Sequence, residues 1–345
     1  MINPLVTVIC LCYNHEDFVV VTLNSVNNQS YKNIELIIID DCSQDNSVEK
    51  ITAWISTIQQ KITEQNIHFI ALSENIGNCK AFNMALKLAK GKYVIDLATD
   101  DILLPQCIEK QVLQFEQLAE TYAVVFANAI YIDKNSNILH KHHKTNENKT
   151  NENKTNERKT NEIVADGDIY AKIVAHSFIC TPTMMMRKTV LDALQGYDES
   201  LSYEDFDFWI RSSRHYLYSY IDEVVVQKRI LKQSLGTQFY TKNAYKHLES
   251  TLRICHKIAI LNRNSLENKA LAHRIRYHIR LCCYTNNYSL VPDYHNLLQK
   301  ITKIKILDKI CDKIWILIAI LKLPLHSFYS IYKTLKFKFF FNLKT

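Results

Sequence analysis

Three short acidic clusters hold the side chains of this sequence best suited to chemistry. The first closes an apolar run, Ile37-Ile38-Ile39-Asp40-Asp41-Cys42-Ser43-Gln44-Asp45. A carboxylate at a strand end can accept hydrogen bonds from a ribose or a pyrimidine N–H, although Asp41 or Ser43 could equally cap the helix that follows. The second is Ala98-Thr99-Asp100-Asp101. Adjacent carboxylates at one rim repel each other unless a cation lies between them, and a hard divalent ion shared with phosphate oxygens is one solution. A solvated acidic turn is the other. The third is Tyr203-Glu204-Asp205-Phe206-Asp207-Phe208-Trp209, acids interleaved with aromatics at a helix start. One of these acids could act as a general base, or the acids could simply answer the helix dipole.

The elements that must position these groups alternate over the first 130 residues. Strands are expected at Leu5–Cys12, Ile34–Ile39, Ile67–Leu72, Tyr93–Leu97 and Tyr122–Ala127, several of them continuous apolar runs suited to burial on both faces. Helices are expected at Asp17–Asn28, Asp45–Lys61, Asn78–Ala89 and Pro105–Leu118. This order predicts an α/β fold with a mostly parallel sheet and helices on both faces. Ligands of such sheets bind beyond the carboxyl ends of the strands, where Asp40, Asp41, Asp100 and Asp101 fall. A further helix is expected near Phe206–Arg214.

Residues 144–163 repeat a KTNEx pentapeptide four times, with no apolar residue before Ile163. Such a segment cannot bury a face and is expected to be a solvated low-complexity insertion. The neighbouring His140, His142 and His143 are expected in a solvated loop. The net charge of +7 is unevenly spread, with −7 over residues 1–239 and +14 over residues 240–345. From Thr241 onward the chain reads as helical and basic. Ile301, Ile304, Leu307, Ile310, Cys311, Ile314, Trp315, Ile318 and Leu321 form one stripe, with Lys303, Lys309, Asp312 and Lys313 largely opposite.

Together these segments resemble family 2 glycosyltransferases of the GT-A fold. Val6-Thr7-Val8-Ile9 and Tyr13-Asn14-His15-Glu16 are similar to that family's first strand and donor-binding turn. Glu35 through Ser43 is similar to its second strand and nucleoside-binding aspartate. Asn75-Ile76-Gly77, Ala81-Phe82-Asn83 and Ala89-Lys90-Gly91-Lys92-Tyr93-Val94 are similar to the segments before its metal motif. Met186-Arg187-Lys188, Gly196 through Leu201, Glu204-Asp205 and Trp209-Ile210-Arg211 are similar to its acceptor side. The resemblance covers roughly residues 5–235. It implies a catalytic domain over 1–235, with a donor-binding half at 1–130, the insertion at 140–165 and an acceptor-side half at 166–235. A helical basic extension follows at 236–345.

The resemblance also implies roles. Asp41 would contact the nucleotide base with Tyr13 stacking on or flanking it, and Glu16, Gly77 and Lys80 would belong to the donor site. Asp100 would hold the ribose and, with Asp101, a Mn²⁺ or Mg²⁺ on the diphosphate. Asp205 would be the catalytic base, with Glu204 as the alternative. Three positions depart from the family pattern: Ala98 where an acid is common, Phe82 where an arginine is common, and Leu231 where a histidine often follows an Arg-Ile pair. The implied enzyme is a hexosyl- or N-acetylhexosaminyltransferase. It would move a sugar from a nucleoside-diphosphate sugar, with a UDP-sugar expected, to a glycan or lipid-linked glycan hydroxyl, as in surface polysaccharide or lipopolysaccharide biosynthesis. A base opposite the leaving group implies in-line displacement with inversion.

Competing readings fare less well. Nucleotidylyl transfer and Rossmann dehydrogenation want a glycine-rich phosphate loop, and none of the five glycines lies in one. The basic C-terminal aromatics cluster with Ile and Leu, which suits a membrane interface better than base stacking, so no nucleic acid is expected. A non-catalytic sugar-nucleotide-binding relative stays open. Ten cysteines without a CxxC pair, and no signal-like N-terminus, imply a reduced cytoplasmic protein. The C-terminal stripe and its lysines imply peripheral attachment to the anionic inner face of the cytoplasmic membrane.

Overall fold

Uninterrupted β-branched runs form the centre of the sheet in the computed structural model, which describes residues 3–59, 66–143, 164–231, 239–241, 244–302 and 306–326. β1 (Val6–Cys12), β2 (Ile34–Asp40), β3 (Ile67–Ala71) and β4 (Tyr93–Ala98) are parallel, in the spatial order β3-β2-β1-β4. The connections carry α1 (Val19–Asn27), α2 (Ser47–Gln59) and α3 (Asn78–Leu88). The register pairs Cys12 with Asp40 and Leu11 with Ala98, so the acidic turns after β2 and β4 flank the end of β1.

The remainder of the sheet is more mixed. β5 (Ile102–Leu103) precedes α4 (Cys107–Glu116), then β6 (Tyr122–Ile132) and β7 (Ile138–Lys141). After α5 (Tyr170–Ala175) come β8 (Met185–Arg187), α6 (Lys188–Ala193), α7 (Glu204–Ser213) and β9 (Leu217–Arg229). The full order is β3-β2-β1-β4-β8-β6-β9-β5, with β7 on β6. β8 runs antiparallel between β4 and β6, whereas β9 runs parallel to β6. The expected α/β sheet with flanking helices is therefore present, with the antiparallel β8 inserted where the sheet turns from one half to the other.

Two corrections concern the segments around the repeats, which themselves lie outside the described residues. His140 is in a strand and His142 is not solvated. The Nε2 of His142 donates to the Phe178 carbonyl at 2.9 Å, so its Nδ1 accepts from the Tyr131 hydroxyl at 2.8 Å. Burial lowers its pKa to about 4, so the ring is neutral.

The chain divides into two compact units. One comprises Met1–Ile169, Phe178–Glu199 and Asp207–Leu231; the other comprises Tyr170–Ser177, Ser200–Phe206 and Lys232–Thr345. The second unit holds α8 (Tyr245–Leu261), α9 (Ser265–Tyr284), α10 (Val291–Ile301) and α11 (Ile306–Ile320). The buried guanidinium of Arg274 in α9 donates to the Ile173 and Val174 carbonyls and lies 4.0 Å over the Phe206 ring. α11 corrects the expected stripe. Asp312, expected on the polar face, is buried and pairs with Arg276 at 3.1 Å, and Trp315 packs edge-on against Tyr284. Ile314, Leu317, Ile320 and Leu321 are exposed instead. Among the described residues no helix is long and apolar enough to cross a membrane.

His278 in α9 is buried, and neither ring nitrogen has a hydrogen-bond partner among the described residues. Burial, then the Arg274 charge, hold its imidazole well below the usual histidine range. The unfolded chain takes up a proton near pH 6.5 and the folded chain does not. This contribution to stability is complete above that pH and is lost as the pH falls below it. Replacing the unsatisfied ring by an apolar side chain removes the penalty. His278→Leu should lose less stability than wild type between pH 8 and pH 5, by up to about 2 kcal/mol in chemical denaturation. Equal losses in the two proteins would contradict this account of His278.

Candidate functional site

The turns after β1 and β2 are locked into each other by backbone conformations that side chains rarely adopt. Asn14 (φ 57°) and Cys42 (φ 63°) are both left-handed without being glycine. Hydrogen bonds hold them there. The Asn14 N–H donates to Ser43 Oγ at 2.8 Å, Ser43 Oγ donates to Asp40 Oδ2 at 2.6 Å, and the Gln44 N–H donates to Asn14 Oδ1 at 2.7 Å. Glu16 completes the clasp by accepting from the Asn46 amide side chain at 2.6 Å. Its carboxylate therefore organises the turn. Tyr13, 46% exposed, presents an aromatic face beside this clasp.

Asp41 is nearly buried and caps the loop before α3. Its Oδ1 accepts the Ile76 N–H at 2.7 Å and its Oδ2 accepts the Gly77 N–H at 2.9 Å. Burial raises its pKa, and the two amides offset only part of that rise. Gly77 has φ 87°, a conformation that supplies both the turn and the second amide. Lys80 is exposed in the first turn of α3. Deeper in this helix, Asn83 accepts the Tyr197 N–H at 2.9 Å and donates to Glu199 at 3.0 Å. Gly196 (φ 67°) passes so close that a Cβ would sit 2.2 Å from Asn83 Oδ1. Phe82, where a cation is common in the family pattern, is buried and stacked on Tyr197 at 4.3 Å.

Asp100 and Asp101, 9% and 3% exposed, follow β4. The Thr22 hydroxyl donates to the Thr99 and Asp101 carbonyls, fixing the backbone of the turn. Arg229, at the end of β9, grips it from the other side. Its N–H donates to Asp101 Oδ1 at 2.8 Å and its Nε to the Asp100 carbonyl at 3.0 Å. Its Nη1 reaches the Asp133 carbonyl at 2.7 Å, and the guanidinium lies 4.5 Å over Phe18. Burial first, then the Asp100 charge, raise the Asp101 pKa to about 7. Two neighbouring carboxylates with their charge under-compensated fit a divalent cation. Among the described residues no three ligating side chains cluster, so the other ligands would come from a bound diphosphate and water. In the sequence Arg229 is visible only as part of an Arg-Ile pair. The signal was an arginine ending a strand, since a buried arginine requires carbonyl or carboxylate partners.

The third cluster is anchored in the second unit. Glu204 and Asp205 open α7 and are partly buried. Asp205 Oδ1 accepts the Phe206 N–H at 2.7 Å. Tyr203 donates to Ser177 at 3.0 Å, and its pKa rises to about 12 through burial and then the Asp205 charge. Asp207, in the first unit, is fully buried and pairs with Arg211 at 2.6 Å, which marks it as a structural acid.

A mostly parallel sheet with flanking helices and acidic turns after β2 and β4 is an α/β architecture of the GT-A type. Residues 7–194 match the family described as Glycosyl transferase family 2, and the chain belongs to it. It is 31% identical over 260 residues to an uncharacterized glycosyltransferase of Methanocaldococcus jannaschii, covering 72% of this chain and 81% of that protein. It is 36% identical over 132 residues to WfaP of Escherichia coli, a UDP-Glc:alpha-D-GlcNAc-diphosphoundecaprenol beta-1,3-glucosyltransferase, covering 38% of this chain and 48% of the relative. The fold is similar to that of S. aureus TarS in complex with UDP-GlcNAc, with a TM-score of 0.60 and 16% identity over 86% of this chain and 80% of that one.

The doubly bonded Asp41 carboxylate should govern the loop before α3. Asp41→Ala should accelerate hydrogen exchange at Ile76 and Gly77 by about tenfold or more while β1 amides stay protected, since bonds to a charged acceptor contribute about 1.5–3 kcal/mol. Unchanged protection at both amides would show that the loop holds itself.

Proposed function

We propose that this glycosyltransferase moves a hexose or N-acetylhexosamine from a UDP-sugar to a glycan or lipid-linked glycan hydroxyl, with inversion at the anomeric carbon. The observation that carries the reading is the buried Asp100–Asp101 pair beside the clasped turns of Asn14 and Cys42. Asp41, held by two amides, retains lone pairs for a base N–H, and Tyr13 offers it a stacking face. Glu16 and Gly77 would line the donor site, and Lys80, exposed in the first turn of α3, would face the donor's phosphates. Asp100 and Asp101 would hold Mn²⁺ or Mg²⁺ together with the diphosphate, and that ion would supply Lewis-acid stabilisation of the leaving group. Asp205, with Glu204 as the alternative, would take the acceptor's proton as its oxygen attacks the anomeric carbon. WfaP uses a UDP-sugar and a polyprenyl diphosphate-linked acceptor by name, which supports this choice of donor and acceptor classes.

Asp205→Asn should reduce turnover by about 10²–10⁴-fold and leave UDP affinity within a few-fold of wild type. Turnover close to wild type would remove Asp205 from the mechanism. A product that keeps the donor's anomeric configuration, read by NMR, would overturn direct displacement.

We further propose that α11 lies in an anionic membrane interface at the inner face of the cytoplasmic membrane. Ile314, Leu317, Ile320 and Leu321 are 51–70% exposed, and exposed Lys313 and Lys322 flank them. An apolar stripe edged by lysines suits headgroups above and acyl chains below. The last residues, with Phe339, Phe340 and Phe341, lie outside the described residues. The protein should float with anionic liposomes at low salt, and Ile314→Glu with Leu317→Glu and Ile320→Glu should keep it in the soluble fraction. Equal flotation of both proteins would show that this face is not the attachment surface.

A further inference from the structure

Lys228 is adjacent to the acidic pair, yet none of the roles above uses it. The Arg229 N–H donates to Asp101 Oδ1 at 2.8 Å, and standard backbone geometry then puts the Lys228 Cα within about 5 Å of that carboxylate. In the sheet register Lys228 pairs with Tyr131 and Arg229 with Ile132. Alternation turns the two basic side chains to opposite faces. Arg229 is committed to the Asp100, Asp133 and Lys134 carbonyls and the Ser136 hydroxyl. Lys228 shares the face of its register partner Tyr131, whose hydroxyl is hydrogen-bonded to His142. Tyr131 and His142 are bonded to each other and His142 is neutral, so Lys228 brings a positive charge to this partly buried cluster.

The chemistry of the turn calls for such a group. A diphosphate bound at Asp100 and Asp101 would bring further negative charge to a rim that is already anionic. A lysine ammonium is a compact point charge with three donors, suited to phosphate oxygens and needing no fixed geometry.

We propose that Lys228 is a protein-borne cation of the donor site that binds the diphosphate directly, alongside the divalent ion. It rests on the donor reading above. As the bond between the anomeric carbon and the diphosphate oxygen breaks, the electron pair stays on that oxygen. The ammonium stabilises the charge by hydrogen bonding and transfers no proton. Nucleotide binding should therefore outlast chelation of the metal.

The test is calorimetric titration of the full-length protein with UDP, GDP and uridine, in Mn²⁺ and in EDTA. Wild type should retain measurable UDP or GDP affinity in EDTA. Lys228→Met should weaken that binding by about tenfold or more, Lys228→Arg should restore most of it, and uridine affinity should not change. Equal nucleotide affinity of wild type and Lys228→Met in EDTA would overturn the proposal. So would an equal loss for uridine, which would mark Lys228 as a structural support. If wild type binds neither UDP nor GDP even with Mn²⁺, the donor reading itself fails and takes this inference with it.

Discussion

Two carboxylates are buried side by side at Asp100 and Asp101, and much of the surrounding architecture compensates for them. Burying like charges together is costly unless hydrogen bonds or a cation offset them. The Arg229 N–H, its guanidinium on the Asp100 carbonyl and the Thr22 hydroxyl on the turn's backbone all act in that direction. They do not complete the task, since the Asp101 pKa still rises to about 7. A site left short of positive charge in this way is poised to take it up from a ligand and its counter-ion. That unmet electrostatic demand is what supports the proposed metal-diphosphate site at this turn.

The neighbouring turns are also held under constraint. Left-handed Asn14 and Cys42 cost energy that regular packing would not tolerate. The Asp40–Ser43–Asn14 chain of hydrogen bonds keeps them in place. Asp41 does the same for the loop before α3, and the close approach of Gly196 to Asn83 fixes the middle of that helix. In the donor site proposed here these side chains would be oriented in advance, so less ordering would be left to occur on binding.

The parallel half of the sheet was legible because its apolar runs have no other stable solution. Val6–Cys12 and Ile34–Asp40 came within a residue of the expected bounds at each end. β8 is three residues long and β9 mixes polar with apolar positions over thirteen, so neither carries a clear period. The acidic clusters stood out by type and spacing. Their partners did not, because Arg229 and Lys228 are more than 120 residues from Asp101 in sequence and come near it only through the pairing of β5 with β9. Periodicity also misplaced the face of α11, since an aspartate buried against Arg276 outweighs the apolar stripe only once α9 is beside it. His142 was missed for a similar reason: its two partners, Tyr131 and Phe178, lie on either side of the repeat segment.

The proposed donor site requires the Asp100–Asp101 turn to receive a metal-bound nucleoside diphosphate. Crystals grown with UDP and Mn²⁺ and measured near the manganese absorption edge should show an anomalous peak about 2.0–2.3 Å from a carboxylate oxygen of this pair, contacting the diphosphate as well. A well-ordered diphosphate bound away from the turn, or a manganese peak with no oxygen of Asp100 or Asp101 in its coordination sphere, would contradict it.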